Sequence, residues 1–155
     1  MIIALDRITN DGTDASIIEL IGRKEAVHKV KSLRDLRSRL GPGHRVFSLF
    51  HPLLPGRPLV FVHVALKNEI PSSMSDVLQV SEKESPIVAT FYSITNAEPG
   101  LAGVGLGEFL IKGAVKVSTT LISRIDLELF PPLHHRSHHQ LYNNSTSGYK
   151  MNFHP

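Results

Sequence analysis

The 155-residue sequence contains no cysteine. That excludes disulfide staples, thiolate-ligated zinc, iron–sulfur clusters and thiol catalysis. It contains no tryptophan, and aromatic residues make up only 6%, too few for a base-stacking platform. No apolar run reaches the roughly 18 residues of a membrane span. The start Met1-Ile2-Ile3-Ala4-Leu5-Asp6 is too short and too soon acidic for a signal peptide, and the ending Asn152-Phe153-His154-Pro155 is not a peroxisomal Ser-Lys-Leu. Charge of one sign is scarce too: Lys and Arg outnumber Asp and Glu by 17 to 14, a net +3, spread along the chain. This is a mild bias toward anionic ligands, not a nucleic-acid footprint. The expectation is a soluble intracellular protein with no membrane span, no nucleic-acid partner and no targeting signal.

What is present is ordinary for a single soluble domain, with 41% hydrophobic and 20% charged residues. The character changes near Val117. Residues 1–117 show apolar periodicity with definite stops and read as the folded domain. Residues 118–155 read as a divergent, largely disordered tail that holds five of the nine histidines, at 134, 135, 138, 139 and 154. Within it only Ser118–Phe130 has apolar content worth an element, and 131–155 is expected to be loose. The run His134-His135-Arg136-Ser137-His138-His139 could share imidazoles on a helix face, but no carboxylate stands near it and Pro131-Pro132 opens it. It reads as a solvated basic tail, and no metal site is assigned.

Helices are predicted over 14–23, 32–40 and 106–117, with a weaker pattern over 69–80. Asp14 is a candidate N-cap, and Ser32-Leu33-Arg34-Asp35 resembles a capping box. Strands are predicted over 45–50, 58–66 and 87–94. The last two are apolar on both faces, as in a sheet covered on both sides. The fold class is α/β: a central mixed sheet with flanking helices. His63 reads as a hydrogen-bonded core histidine, and Tyr92 and Ser93 as packing at a strand end. Leu106, Phe109, Leu110, Gly113, Ala114 and Val117 form one apolar helix face.

The stretch between the last strand and the last helix carries the chemistry. Ala102-Gly103-Val104-Gly105-Leu106-Gly107 leaves backbone N–H groups unobstructed at a helix N-terminus, where partial positive charge favours an anion such as a pyrophosphate. Its spacing is neither Gly-x-Gly-x-x-Gly nor a P-loop. It resembles the Gln/Arg-x-x-Gly-x-Gly/Ala loop of GNAT-type acyl-CoA enzymes, with Ala102 in the first position. A tight packing turn is the competing reading. If these donors cradle a pyrophosphate, a side chain is expected to crowd the phosphate more at Gly103 or Gly107 than at Gly105.

A wider resemblance runs over residues 7–117. Glu25-Ala26-Val27-His28-Lys29-Val30, Phe50-His51-Pro52, the strand from Pro58 to Leu66, Phe91-Tyr92-Ser93-Ile94 and Pro99-Gly100-Leu101-Ala102-Gly103-Val104-Gly105-Leu106-Gly107-Glu108-Phe109-Leu110-Ile111-Lys112 resemble, in order and spacing, the catalytic domain of malonyl-CoA decarboxylases. The resemblance implies a GNAT-type fold and conversion of malonyl-CoA to acetyl-CoA and carbon dioxide. The coenzyme A thioester is then the substrate, with no further cofactor. It also implies a mitochondrial, peroxisomal or cytoplasmic location and pairing with full-length subunits.

Decarboxylation leaves an enolate on the thioester oxygen, so the site needs donors to that oxygen and an acid for the carbon. The family places a serine in Ser-Pro-Ile-Pro-Gly-Phe and a later histidine in Asn-Phe-His. The first motif is absent here. Ser123 falls near its place with the wrong neighbours, and His154 lies in an Asn-Phe-His echo too close in sequence; both remain weak catalytic candidates. The fold is expected to be incomplete on its C-terminal side. Three readings follow: the enzyme malonyl-CoA decarboxylase, in a truncated form from which no turnover is expected, a non-catalytic CoA-binding or subunit-pairing fragment, and, third, a GNAT-type acetyltransferase.

Overall fold

The computed structural model describes residues 3–80, 86–121 and 126–129. In chain order these form β1 (Ala4–Ile8), α1 (Ala15–Lys24), α2 (Leu33–Ser38), β2 (His44–Phe50), β3 (Val60–Lys67), α3 (Met74–Leu78), β4 (Val88–Asn96), a 3-10 turn at Pro99–Leu101, α4 (Leu106–Leu121) and β5 (Asp126–Leu129). The sheet order is β1-β2-β3-β4-β5. The first four strands are antiparallel and β5 runs parallel to β4, so the sheet is mixed.

The helix starts follow their capping chemistry. Asp14 accepts from the Ser16 N–H at 2.8 Å, and Ser32 Oγ accepts from the Asp35 N–H at 3.1 Å. The Asp35 carboxylate reaches back to the Lys31 N–H at 2.9 Å, one residue before the cap. The weak helical pattern of 69–80 shrinks to Met74–Leu78, capped by Ser73.

Every residue of β3 is buried, as its two apolar faces predict. Val60, Val62, Val64 and Leu66 point toward α4, with Phe47, Leu49, Ala89 and Phe91 beside them. On the opposite face Phe61 packs with Val46 and Ile21 of α1, while Ala65 packs with Val77 of α3.

Three features differ from the sequence reading. β1 was not expected: only Ile8 of its five residues is buried, and Asp6 and Arg7 interrupt the apolar pattern. Pairing with β2 makes it a strand, and its charges suit an edge. Helix α4 continues past its expected end at Val117 to Leu121, while β5 falls within the 118–130 stretch that was expected to hold an element. Finally, the apolar face of α4 is only partly covered. Leu106, Leu110 and Ala114 are buried, but Phe109 is 57% and Val117 40% exposed. The sheet meets the 106-110-114 row, so Phe109, 100° round the helix from Leu110, clears it, whereas Val117 lies on the row itself. The histidine run and the rest of 130–155 lie outside the described residues.

Candidate functional site

Strand β4 leads directly into the glycine stretch. Ala97 is tied to the residue before β3 by its N–H to the Leu59 carbonyl at 2.9 Å. The 3-10 turn closes through the Leu101 N–H to the Glu98 carbonyl at 3.1 Å, and the Val104 N–H turns back to the Leu101 carbonyl at 3.2 Å. Gly103 and Gly105 then take φ of 85° and 75°, a left-handed backbone that side chains disfavour. The predicted residues Ala102, Gly103, Val104, Gly105, Leu106 and Gly107 thus form one continuous turn that opens α4. Among the described residues no acceptor meets the backbone N–H groups of Gly103, Gly105, Leu106 and Gly107.

Within the protein itself, space separates these glycines only slightly. A Cβ at Gly103 or Gly105 would meet nothing within 4 Å, whereas one at Gly107 would touch Ile94 at an ordinary 3.4 Å. Positive φ, not crowding, is what demands glycine at 103 and 105. The loop is also tied to the β2–β3 hairpin. Arg57 donates to one oxygen of Glu98 from Nη2 at 2.7 Å and from Nε at 3.1 Å.

A second cluster lies on the α1 side of the sheet. The register passes from His63↔Ser93 to Val64↔Phe91, so Tyr92 is an extra residue in a β-bulge. The bulge turns Tyr92 and Ser93 onto the same buried face: Tyr92 packs with Ala65 and Val77, and Ser93 Oγ donates to Glu25 Oε1 at 2.6 Å. These two residues lie within β4, which continues to Asn96, and not at its end. The other Glu25 oxygen is 3.1 Å from His63 Nε2. Glu25 also accepts from the N–H groups of Val27 and His28, each at 2.9 Å. The loop after α1 is gripped further by Arg39, which is 3% exposed, pairs with Asp35 and donates to the His28 and Lys29 carbonyls.

Electrostatics follow from this burial. Burial pushes the Glu25 carboxyl up, but His63 and the donors from His28 and Ser93 outweigh it and hold the group down at about 2. Burial, reinforced by the charge of Lys67, brings His44 down to about 4. Burial raises the Tyr92 hydroxyl above its usual range. Serine, carboxylate and histidine stand here with the carboxylate in the middle. His63 is therefore not placed to take the Ser93 proton, and the group is not a nucleophile pair. His63 is a core histidine, as expected. Glu25 enters the sequence reading only within the resembling stretch Glu25–Val30, with no role of its own, because a lone glutamate after a helix carries no spacing signal. Ser123 and His154 lie outside the described residues.

The profile of the malonyl-CoA decarboxylase C-terminal domain matches residues 2–130. The chain belongs to the malonyl-CoA decarboxylase family. Mitochondrial malonyl-CoA decarboxylases of Anser anser anser and Rattus norvegicus are 39% and 38% identical to it over 118 residues. That stretch is 72% of this chain but only 23% and 24% of those proteins, so the chain spans about a quarter of the curated relatives it matches. The crystal structure of malonyl-CoA decarboxylase from Agrobacterium vitis superposes with a TM-score of 0.74 at 40% identity, covering 81% of this chain and 32% of that one. The aminoglycoside 6'-N-acetyltransferase AAC(6')-Ih of Acinetobacter baumannii shares the fold, with a TM-score of 0.56 at 12% identity over 94% of this chain and 99% of that one. The fold is therefore the α/β one that the decarboxylase family shares with GNAT acetyltransferases. Among the described residues no helix is long and apolar enough to cross a membrane.

Proposed function

We propose that this chain is a coenzyme A thioester binder on the malonyl-CoA decarboxylase catalytic fold, holding malonyl-CoA or CoA by its pyrophosphate at residues 102–107. The observation that carries the reading is the set of unpartnered N–H groups at Gly103, Gly105, Leu106 and Gly107 where α4 begins. The donors and the helix dipole act together on a doubly charged group. The two left-handed glycines present backbone to the ligand with no side chain in the way.

Turnover needs more than this loop. The enolate oxygen needs donors and the carbon needs an acid. Ser93 and His63 are engaged with Glu25 on the opposite face of the sheet from α4. The sequence around Ser123 lacks the serine motif the family resemblance calls for. The proposal is therefore binding without decarboxylation, in the mitochondrial setting that the relatives' names give, alone or beside a full-length subunit. Calorimetric titration of the folded protein with CoA tests the binding. Saturable binding that weakens as salt rises is expected, together with no carbon dioxide release from malonyl-CoA. A flat titration at millimolar CoA rejects the reading. Robust carbon dioxide release that Ser123→Ala abolishes replaces it with an active decarboxylase.

A further inference from the structure

An acidic side chain stands at the approach to the loop just described. Glu98 opens the 3-10 turn that leads into residues 102–107, and its carbonyl closes that turn. Left alone, its carboxylate would oppose an anion bound by the loop, since like charges repel. It is not left alone. Arg57 reaches it from the β2–β3 hairpin, 41 residues away in sequence, and sends two N–H groups to the same carboxylate oxygen. The pair is too exposed to serve stability, with side chains 56% and 25% accessible, because an exposed ion pair contributes only about 0–1 kcal/mol. Its position next to an anion site gives it a different use.

We propose that Arg57 is a positioning and charge-shielding residue: it cancels Glu98 and holds that carboxylate toward the hairpin, so that the loop presents a net positive field to the CoA phosphates. This rests on the coenzyme A reading of residues 102–107. The shield requires the positive charge of Arg57, not its fork geometry. Arg57 touches Glu98 and not the ligand.

The experiment is calorimetric titration of five proteins with CoA: wild type, Arg57→Ala, Arg57→Lys, Glu98→Ala and the double variant. Arg57→Ala should weaken binding about tenfold, because Glu98 is then uncompensated. Arg57→Lys should stay within about threefold of wild type, and Glu98→Ala should bind as well as wild type or up to about threefold tighter. The double variant should return to within about twofold of wild type, the coupling a double-mutant cycle reads. The Arg57→Ala penalty should shrink severalfold between about 0.05 and 0.3 M salt. Melting temperatures should agree within a few degrees across the set, as for any exposed pair.

Wild type that binds while Arg57→Ala binds equally well overturns the shield and leaves the CoA reading standing. A double variant as weak as Arg57→Ala also overturns the shield, by showing that Arg57 touches the phosphate itself. Wild type that fails to bind CoA overturns both.

Discussion

At the scale of single residues, two kinds of constraint can be separated by substitution. Gly103 and Gly105 are fixed by backbone conformation, at φ of 85° and 75°, with open space around them. Alanine at either position costs about 1–2 kcal/mol of local strain or flattens the loop, and either result should weaken CoA binding severalfold. Gly105→Asn should be milder than Gly105→Ala, because asparagine tolerates the left-handed region. Gly107 is helical and only touches Ile94, so Gly107→Ala should keep both fold and affinity. Titration of the four variants checks this order, and a worse result for Gly107→Ala than for Gly105→Ala contradicts it.

The buried titratable residues set the pH limits of the fold. His44 is held at about 4 against 6.5 when exposed, so between those values the unfolded chain binds a proton that the folded one refuses. Its contribution is complete above about pH 6.5 and is lost as pH falls toward 4, amounting to about 3 kcal/mol. Glu25, at about 2 against 4.5, adds a second loss below pH 4.5. Denaturation followed from pH 7 to 4 should show falling stability, and His44→Gln should flatten it across that window. Glu25→Gln should cost about 3 kcal/mol at pH 7 by replacing a buried carboxylate that accepts from Ser93, Val27 and His28 with a weaker acceptor. Stability that stays level from pH 7 to 4 in wild type contradicts this account.

At the scale of elements, α4 gives the sharpest contrast. Leu110 is fully buried against β3 and β4, while its neighbour Phe109 is 57% exposed. Leu110→Ala should cost about 2–5 kcal/mol, whereas Phe109→Glu should change stability by less than about 1 kcal/mol. Chemical denaturation of both variants tests the helix rotation, and the opposite order would refute it. This element also shows what was legible in the sequence. The apolar period of α4, the caps at Asp14 and Ser32 and the two-faced β3 were all readable, because each rests on local chemistry or strict periodicity. The rotation of α4 was not, because periodicity marks an apolar face without saying how much of it a flat sheet covers. β1 was invisible for a related reason: a short, charged edge strand exists only through its partner. Glu25 and His63 lie far from Ser93 in sequence, 68 and 30 residues away, and the bulge in β4 turns Ser93 onto the face where they meet.

At the scale of the whole molecule, the two faces of the sheet are assigned different work. The α1 side is a buried polar lock, in which Glu25 and Arg39 fasten the loop after α1 over the bulge of β4. The α4 side carries the larger apolar cluster and presents the glycine turn at the C-terminal end of β4. On that division the core serine and histidine belong to the lock, and the glycine turn on the other side is the site we propose for the anion. The glycine stretch was legible as a strand-to-helix turn, with a tight packing turn competing against the anion-site reading proposed above. Its free donors and the Arg57–Glu98 tie were not, since both depend on how the 3-10 turn folds back on the hairpin. The central claim is that CoA seats on the N–H groups of this turn. An amide correlation NMR spectrum recorded during titration with CoA tests it most directly. The account predicts the largest, saturable shifts at the amides of Gly103, Gly105, Leu106 and Gly107. Unmoved signals for these four residues while CoA binds elsewhere, or does not bind at all, would contradict it.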